Sequence, residues 1–486
     1  MYIPFAPSLL SGRVLTTSSK VEFTQDDPRD PFNWSLPKKW LVTIVACAYT
    51  AFAASASSAY PVGYPSMQRD LNTTVFQATL GLTTFIIGFA VSPLVLSSFS
   101  EEFGRRPMYL VTSAFFCVFF IPAALAQNIA TVIICKFIQG SAASTGATMV
   151  GGTVADIWRT ADRGLPMGVY VMSAILPMGL GPVVAGWIEN NPHLQWRWIG
   201  TSGVYWLVLF FLMEETRGTV LLIRQAKLLR KELGDHRYRA RIEDASWSLP
   251  FPQYNERTSL RELIWTSCTR PIWLLFTEPI VLSVSIWFGF VWGTLYGMIE
   301  SMGLVFGTLY PQFNPGQLGA VFAAMSVGGL VGFITNFGQE KLYRRARLYF
   351  ACGGGVLIAI GGLIYAWTSL EHRNIPWIAP CIGITLFTVG LYHVYLAIFN
   401  YLADAYLIYA SSALSGQSFL RNMMAAAFPL FTRQMYRQLT FPWASTLLAL
   451  IALVMCLCPF VLIMWGPEIR ARSRFAKRLA ASQTNK

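Results

Sequence analysis

The chain alternates between long apolar runs and short polar breaks. Most of these runs are close to 20 residues long, the length that an α-helix needs to cross ~30 Å of hydrocarbon. The pattern predicts twelve transmembrane helices, of which the sixth is short and has the least distinct start. Their predicted bounds are residues 40–62, 79–99, 108–127, 129–157, 164–187, 200–213, 271–298, 318–338, 348–368, 377–402, 413–432 and 443–466.

One polar segment is much longer than the others and separates six predicted spans from six. Within it, Val220, Leu221, Leu228 and Leu229 stand among arginines and lysines, which predicts an amphipathic helix on the membrane surface. The expected order is a cytoplasmic tail, a six-helix bundle, a central cytoplasmic loop, a second six-helix bundle and a basic cytoplasmic tail. These units cover residues 1–39, 40–214, 215–270, 271–466 and 467–486.

Composition supports a membrane protein. Of the 486 residues, 54% are hydrophobic and 13% are charged, whereas soluble chains carry roughly 25% charged residues. The first 39 residues are polar and rich in proline, so no cleavable signal peptide is expected and insertion begins at the first span. Seven of the eight cysteines lie in or beside predicted spans. This placement predicts neither a disulfide framework nor a metal site, and no cofactor is expected.

Positive charge predicts the orientation. If both termini are cytoplasmic, 30 of the 37 lysines and arginines fall on the cytoplasmic side and five on the other, as the positive-inside rule requires. The net charge of +13 is then mainly a topology signal, and no nucleic-acid partner is expected. Asn72, in the sequon Asn-Thr-Thr, is an external glycosylation candidate, whereas the sequon at Asn33 is cytoplasmic.

Three stretches carry unusual combinations of residues. The loop after the second span reads "SSFSEEFGRRP", with Glu101, Gly104, Arg105 and Arg106, and "GQEKLYRRARLYF" follows the eighth span at the corresponding position. The fifth span reads "ILPMGLGPVVAGW", and the fourth contains "CKFIQG". Small residues on one helix face permit close helix packing, and a proline inside a span permits a bend.

These stretches resemble signatures of the major facilitator superfamily, and within it the fungal twelve-span drug:proton antiporters. Other segments, such as "DPRDPFNWSLPKKW", "GGTVADIW" and "EETRG", are similar to fungal members. The resemblance implies an all-α polytopic membrane protein with the major facilitator fold, in which two six-helix halves rock about a central site.

The resemblance also implies roles for particular residues. Glu101 is expected to pair with arginines and with the N-terminus of a neighbouring helix, so that the loop with Gly104, Arg105 and Arg106 latches one conformation. The antiporter signature is matched at Gly181, Pro182 and Gly186, while Pro177 and Ala185 replace two of its glycines. In the fourth-span pattern Gln139 and Gly140 match, and Lys136 replaces an arginine.

Four ionisable side chains, apart from cysteines and tyrosines, fall well inside the predicted spans: Lys136, Glu278, His393 and Arg421. Each costs about 2.5–3.5 kcal/mol at a helix centre on insertion scales, so such groups usually face a cavity or a partner. A proton-driven exporter needs a group that titrates, and Glu278, His393 and Lys136 are the candidates, with Asp156 a more distant one. Glu278 and Arg421 can instead snorkel or pair locally, and His393 can be a packing residue.

The predicted function is proton-coupled export of a secondary metabolite, toxin or drug-like molecule, from a monomer in the plasma membrane or the vacuolar membrane. One intramembrane acid against two strong bases disfavours polyamines. The alternatives are an uptake permease for a nutrient or polyamine and a non-transporting sensor. An enzyme is not expected, since no Walker loop or HExxH motif occurs. The expected partners are the substrate, protons and lipid, and the candidate cavity aromatics are Tyr49, Tyr60, Tyr170, Trp287, Phe288, Tyr296, Tyr392, Tyr395 and Phe419.

Overall fold

The computed structural model of the chain is built almost entirely of α-helices. It describes residues 20–21, 23, 27–159, 162–191, 193–194, 196–198, 213–233, 239–240, 260–342, 347–370, 375–406 and 410–472. The helices of the first half are α1 (Leu36–Ala59), α2 (Tyr64–Leu71), α3 (Val75–Phe103), α4 (Arg105–Val118), α5 (Phe120–Ala124), α6 (Ile129–Ile157) and α7 (Gly164–Glu189). Then follow α8 (Gly218–Leu233), α9 (Leu260–Thr277), α10 (Pro279–Leu309), α11 (Pro315–Val321), α12 (Ala323–Leu342), α13 (Arg347–Thr368), α14 (Ile378–Tyr406), α15 (Ala410–Leu439), α16 (Phe441–Met455) and α17 (Leu457–Arg472).

Among the described residues, ten helical segments are long and apolar enough to cross a membrane. They correspond to ten of the twelve predicted spans. The predicted span at 200–213 lies outside the described residues except for Met213. The predicted span at 413–432 is part of α15, a helix of 30 residues that is too polar for composition alone to mark it as a span.

The predicted bounds of the seventh span, 271–298, are wrong. The helix breaks at Glu278, which is extended at φ −101° and ψ 107°, and α10 begins at Pro279. The residue before a proline is sterically disfavoured from the α region, and proline suits the first helical position because its missing N–H needs no partner there. The spanning helix then continues to Leu309, so that Glu300 lies inside it.

The central loop contains the predicted amphipathic helix as α8. Of the four apolar residues that predicted it, Val220 and Leu229 are buried, Leu221 is half-buried and Leu228 is exposed. A short parallel pair of strands, β1 (Lys20–Val21) and β2 (Arg239–Ala240), joins the N-terminal segment to this loop. The loop is therefore packed against the N-terminal segment at this point.

The two helical halves meet along several helix pairs. Helix α3 of the first half packs on α15 of the second, and α7 packs on α11, α12 and α14. Glycines allow the closest approaches. A Cβ added to Gly179 on α7 would lie 2.3 Å from Ser326 Oγ and 2.5 Å from Phe322 O on the facing half. The backbone of α7 is thus in close contact with the opposite half of the molecule at Gly179.

Candidate functional site

The loop between α3 and α4 is tied to Glu215, which follows the predicted sixth span. The Glu215 carboxylate accepts hydrogen bonds from the backbone N–H groups of Arg105 at 2.8 Å and Arg106 at 3.3 Å. These amides open α4 and have no partner within the helix, and a negative charge there is favourable for the helix dipole. Gly104 has φ 98°, and a Cβ added to it would lie 2.2 Å from Glu215 Oε2.

The side chain of Arg105 joins three helices. Its Nε lies 3.1 Å from Asp156 Oδ2 on α6, and its Nη1 donates to Ser100 Oγ on α3 at 2.9 Å. Gly152 leaves room for this guanidinium, because a Cβ at that position would lie 2.4 Å from Nη2. Asp156 therefore pairs with Arg105. The side chain of Glu101, the acid expected to pair with arginines of this loop, lies outside the described part of the chain.

We expect Gly104→Ala to destabilise the protein. The combination φ 98° and ψ 168° is open essentially to glycine alone, and forcing another residue into such a region costs on the order of 1–3 kcal/mol. The new methyl group would also collide with Glu215. Thermal unfolding of the detergent-solubilised protein measures the effect, with Gly353→Ala as control because a Cβ on Gly353 meets nothing within 4 Å. Equal melting of the two variants would contradict the expectation.

Lys136 lies within the first half. Its ammonium is 4.7 Å from the ring centroid of Tyr60, 5.4 Å from Phe120 and 6.0 Å from Phe85. Trp196 and Arg197 line the same small pocket, and among the described residues no carboxylate pairs with the ammonium. The lysine therefore makes cation–π contacts inside its own bundle, and these contacts do not involve the other half.

The other predicted polar residues of the spans have separate surroundings. Gln139 is fully buried, and neither of its amide atoms has a hydrogen-bond partner among the described residues. Glu278 is buried at the break before α10 and accepts a hydrogen bond from Tyr406 Oη at 3.2 Å. His393 Nε2 lies 3.0 Å from Thr335 Oγ1, as a packed and satisfied histidine would.

Arg421 on α15 occupies a cage of aromatic rings. Its guanidinium carbon lies 4.8 Å from the ring centroid of Trp292, 5.2 Å from Tyr395 and 5.3 Å from Phe288. Only 2% of the side chain surface is exposed. Nη2 donates to Ser418 Oγ at 3.3 Å, while Nε and Nη1 have no hydrogen-bond partner among the described residues. Arg421 is therefore a buried cation with two nitrogen donors, Nε and Nη1, that the described residues leave without an acceptor.

The cage lies where the two halves touch. Tyr170 Oη of α7 is 3.4 Å from Tyr395 Oη of α14, and Tyr296 Oη of α10 donates to Ser57 Oγ of α1 at 3.3 Å. Phe288, Trp292 and Tyr296 follow one another at four-residue spacing, so α10 presents a continuous aromatic stripe. That spacing could have added Trp292 to the predicted cavity residues.

The remaining predicted aromatics lie elsewhere. Tyr49 packs on Tyr109 and donates to the carbonyl of Ala142, within the first half. Tyr392 Oη donates across the boundary to the carbonyl of Gly168 at 3.0 Å. Trp287 lies beside Gly355, away from the cage, Tyr60 faces Lys136, and Phe419 is half-buried against the core. The structure therefore brings Tyr170, Phe288, Tyr296 and Tyr395 together with Arg421, and separates the others from them.

The Gly-Pro stretch of α7 forms a seam between the halves. A Cβ on Gly186 would lie 2.6 Å from Pro315 O, and a Cβ on Gly319 would lie 2.4 Å from Pro182 O. Gly181 instead packs against α1, where a Cβ would be 2.8 Å from Ser55 O. Pro177 and Ala185 lie four residues before and after Gly181, so they share its helix face, and both are buried. One face of this helix thus packs within its own bundle, and the other touches the opposite half.

Sequence reasoning missed an ion pair inside the spans. Glu300 on α10 is 2% exposed, and its Oε1 lies 3.0 Å from Arg433 Nε on α15. The carboxylate also interacts electrostatically with Tyr60 and Tyr64 of the first half. The predicted seventh span stopped at Met298 because an acid follows. The apolar residues that continue to Leu309 were the signal that the helix goes on.

The family model of the Major Facilitator Superfamily matches residues 45–429. The chain belongs to this superfamily. The predicted fold class is thereby confirmed, and this major facilitator is a multi-pass membrane protein of a family of transporters. The human organic anion transporter MFSD10 (TETRAN) shares the fold with a TM-score of 0.57 at 13% identity, and the match covers 87% of this chain and 99% of that one.

Relatives of this major facilitator include fungal efflux pumps. It is 35% identical to the efflux pump atB of Aspergillus terreus, in a match that covers 95% of this chain and 90% of the relative. It is also 35% identical to the MFS-type efflux pump MFS2 of Trichophyton rubrum, with 94% of this chain and 77% of the relative covered. The predicted resemblance to fungal drug exporters is confirmed at the level of the family.

Proposed function

We propose that this chain exports a small organic molecule by alternating access, in exchange for protons. The observation that carries the proposal is the buried Arg421 cage at the boundary between two helical halves. A site near the middle of the membrane, between two bundles that rock against each other, is what alternating access requires. The names of these relatives, which are efflux pumps, support export as the direction.

The alternatives fit less well. An uptake permease shares the fold, but the Gly-Pro seam of α7 resembles the signature of exporters. A polyamine substrate would need carboxylates, and the cage contains a cation instead. A sensor that does not transport could also bind a ligand in the cage, but the relatives named above are efflux pumps. A membrane enzyme would need a reactive cluster, and none was predicted from the motifs.

Glu300 and Arg433 are the proposed proton-coupling pair. The carboxylate is buried, and burial of a charge is costly unless a partner compensates it. Protonation of Glu300 would remove its attraction to Arg433 next to the contact between α10 and the Tyr60–Gly63 turn. A proton could therefore bias the separation of the two halves, which is the differential interaction that a switch requires.

The proposed topology puts both termini in the cytoplasm and makes the protein a monomer of the plasma membrane. Asn72 is exposed in the turn between α2 and α3, on the side that the positive-inside rule assigns to the exterior. We expect an endoglycosidase to shift the mobility of the wild-type protein but not of Asn72→Gln, while Asn33→Gln changes nothing. A mobility shift lost only in the Asn33 variant would reverse the orientation.

Expression in a host without its own drug pumps tests the function. Strains that make the transporter are compared with strains that make no transporter, on a panel of toxic organic anions, neutral compounds and cations. Raised tolerance together with lower intracellular accumulation supports export. Greater sensitivity together with higher accumulation would instead favour the uptake permease. A fluorescent fusion of the full chain distinguishes the plasma membrane from the vacuolar membrane.

A further inference from the structure

We infer that the Arg421 cage binds the anionic group of the transported molecule, which is therefore a planar or aromatic organic acid. This inference rests on the proposed function, because it identifies the substrate class of that same site. The cage is defined by Arg421, Phe288, Trp292 and Tyr395, with Tyr170 approaching from the other half.

The charge of the cage is uncompensated. Arginine keeps its proton in proteins, so this guanidinium is positive, and no carboxylate in the described part of the chain lies within ion-pair distance of it. The titratable side chains beside it in the described part of the chain are tyrosines, namely Tyr395 of the cage and the neighbouring Tyr170 and Tyr296. A tyrosine hydroxyl is not an anion near pH 7. By contrast, Arg433 on the same helix has Glu300 at 3.0 Å. The fold therefore compensates one buried arginine of α15 and leaves the other without an anion.

The unused donors point to a carboxylate. Nε and Nη1 of Arg421 have no acceptor among the described residues. Each of them shares an edge of the planar guanidinium with Nη2, which has two N–H groups and one long hydrogen bond, to Ser418 Oγ at 3.3 Å. Either edge can bind a carboxylate through two parallel hydrogen bonds. Gln417, one turn earlier on α15, is also fully buried, and neither of its amide atoms has a hydrogen-bond partner within the described ranges. It offers a further donor in the same region of the helix. A ligand that supplied an anion here would satisfy groups that the protein leaves unsatisfied.

The rings of the cage favour an aromatic ligand over a small inorganic anion. Phe288, Trp292 and Tyr395 lie with ring centroids 5.3–5.8 Å apart, and such faces and edges stack on planar groups. Cation–π contacts partly stabilise the guanidinium in the absence of a ligand. They do not use its hydrogen-bond donors, since ring faces accept only weakly.

Binding to the purified full-length protein in nanodiscs tests the inference without any gradient. Three naphthalene derivatives of similar shape serve as probes: naphthalene-2-carboxylate, naphthalene-2-carboxamide and naphthalen-2-ylmethylammonium. Isothermal titration calorimetry gives the affinity of each. We expect the carboxylate to bind the wild type at least tenfold more tightly than the other two, which corresponds to about 1.4 kcal/mol.

The variants separate recognition from structure. Arg421→Gln is expected to weaken carboxylate binding by about tenfold or more and to leave carboxamide binding unchanged. Arg421→Lys, which keeps the charge but not the fork, should lie between. Arg437→Gln, at an exposed position of the same helix, is the matched control. Equal losses for carboxylate and carboxamide in Arg421→Gln, or wild-type preference for the amine or amide, would overturn the inference.

The outcomes also separate this inference from the proposed function. If Arg421→Gln does not fold, the inference is tested by the order in which the wild type binds the three probes and by the carboxylate affinity of Arg421→Lys. Carboxylate selectivity without transport in vesicles would refute the exporter while leaving the anion site standing. Transport without carboxylate selectivity would refute the anion site alone.

Discussion

Glu300→Gln is expected to abolish proton-driven accumulation of substrate while leaving exchange of substrate across the membrane intact. Glutamine has the size of a protonated glutamate but cannot release a proton, so the interaction with Arg433 at 3.0 Å is fixed in its weakened form. A carrier that no longer couples proton movement to substrate movement should still equilibrate substrate across the membrane. Reconstituted protein, assayed for counterflow and for accumulation under an imposed pH gradient, measures both, and we expect accumulation to fall by at least tenfold, or about 1.4 kcal/mol.

A second buried acid provides the control. Glu189 at the end of α7 accepts a hydrogen bond from Ser66 Oγ at 2.8 Å, and both residues belong to the first half. Glu189→Gln keeps an acceptor for that hydroxyl and should retain accumulation driven by the gradient. Wild-type accumulation by Glu300→Gln, or an equal loss in both variants, would refute the role of Glu300 in coupling.

Gly319→Val is expected to slow transport strongly without preventing insertion or folding of either half. The valine Cβ would lie 2.4 Å from Pro182 O and 3.0 Å from Gly186 Cα, across the boundary between the halves. Overpacking of a tight contact costs typically about 1–3 kcal/mol, and here the two halves can relieve it by moving apart. The conformation in which α7 and α11 touch at Gly319 would then be less populated. We therefore expect turnover to fall by roughly tenfold or more.

Gly303→Val separates the seam from the general effect of valine in a spanning helix. Gly303 is exposed on α10, and a Cβ there meets nothing within 4 Å. Both variants are compared for surface expression, melting temperature and counterflow rate. Loss of transport in Gly303→Val, or normal transport in Gly319→Val, would show that the glycine contact is not needed for the cycle.

Much of the fold can be predicted from the lengths of the apolar runs. A segment that crosses the hydrocarbon must satisfy its backbone polar groups internally, so an apolar run of spanning length forms a helix. Where polar side chains enter a span, this signal weakens. Helix α15 was predicted from its apolar stretch, although Arg421 and Asn422 lie inside it, and the end of α10 was missed because Glu300 interrupts the apolar run. The break at Glu278 was predictable in principle, since the residue before Pro279 is disfavoured from the helix.

The candidate site was less accessible from sequence. Lys136 and Arg421 look alike as single cations in apolar runs, yet the structure places Lys136 against rings of its own bundle and Arg421 at the boundary between the halves. The direction in which a helical residue points depends on how the helices pack. A helix that is apolar on all sides has no periodic pattern in its sequence to show which face meets a neighbour. The pairing of Arg105 with Asp156, from two separate motifs, required the fold for the same reason.

The most direct test of the exporter is transport into everted membrane vesicles with an imposed pH gradient, acidic inside, using the three naphthalene probes and a panel of toxic organic compounds. We predict uphill accumulation of the carboxylate or of another organic anion, abolished by a protonophore and absent in vesicles without the protein. If no compound accumulates in vesicles that contain folded protein, or if accumulation is unaffected when the pH gradient is collapsed, proton-driven export by this chain is contradicted.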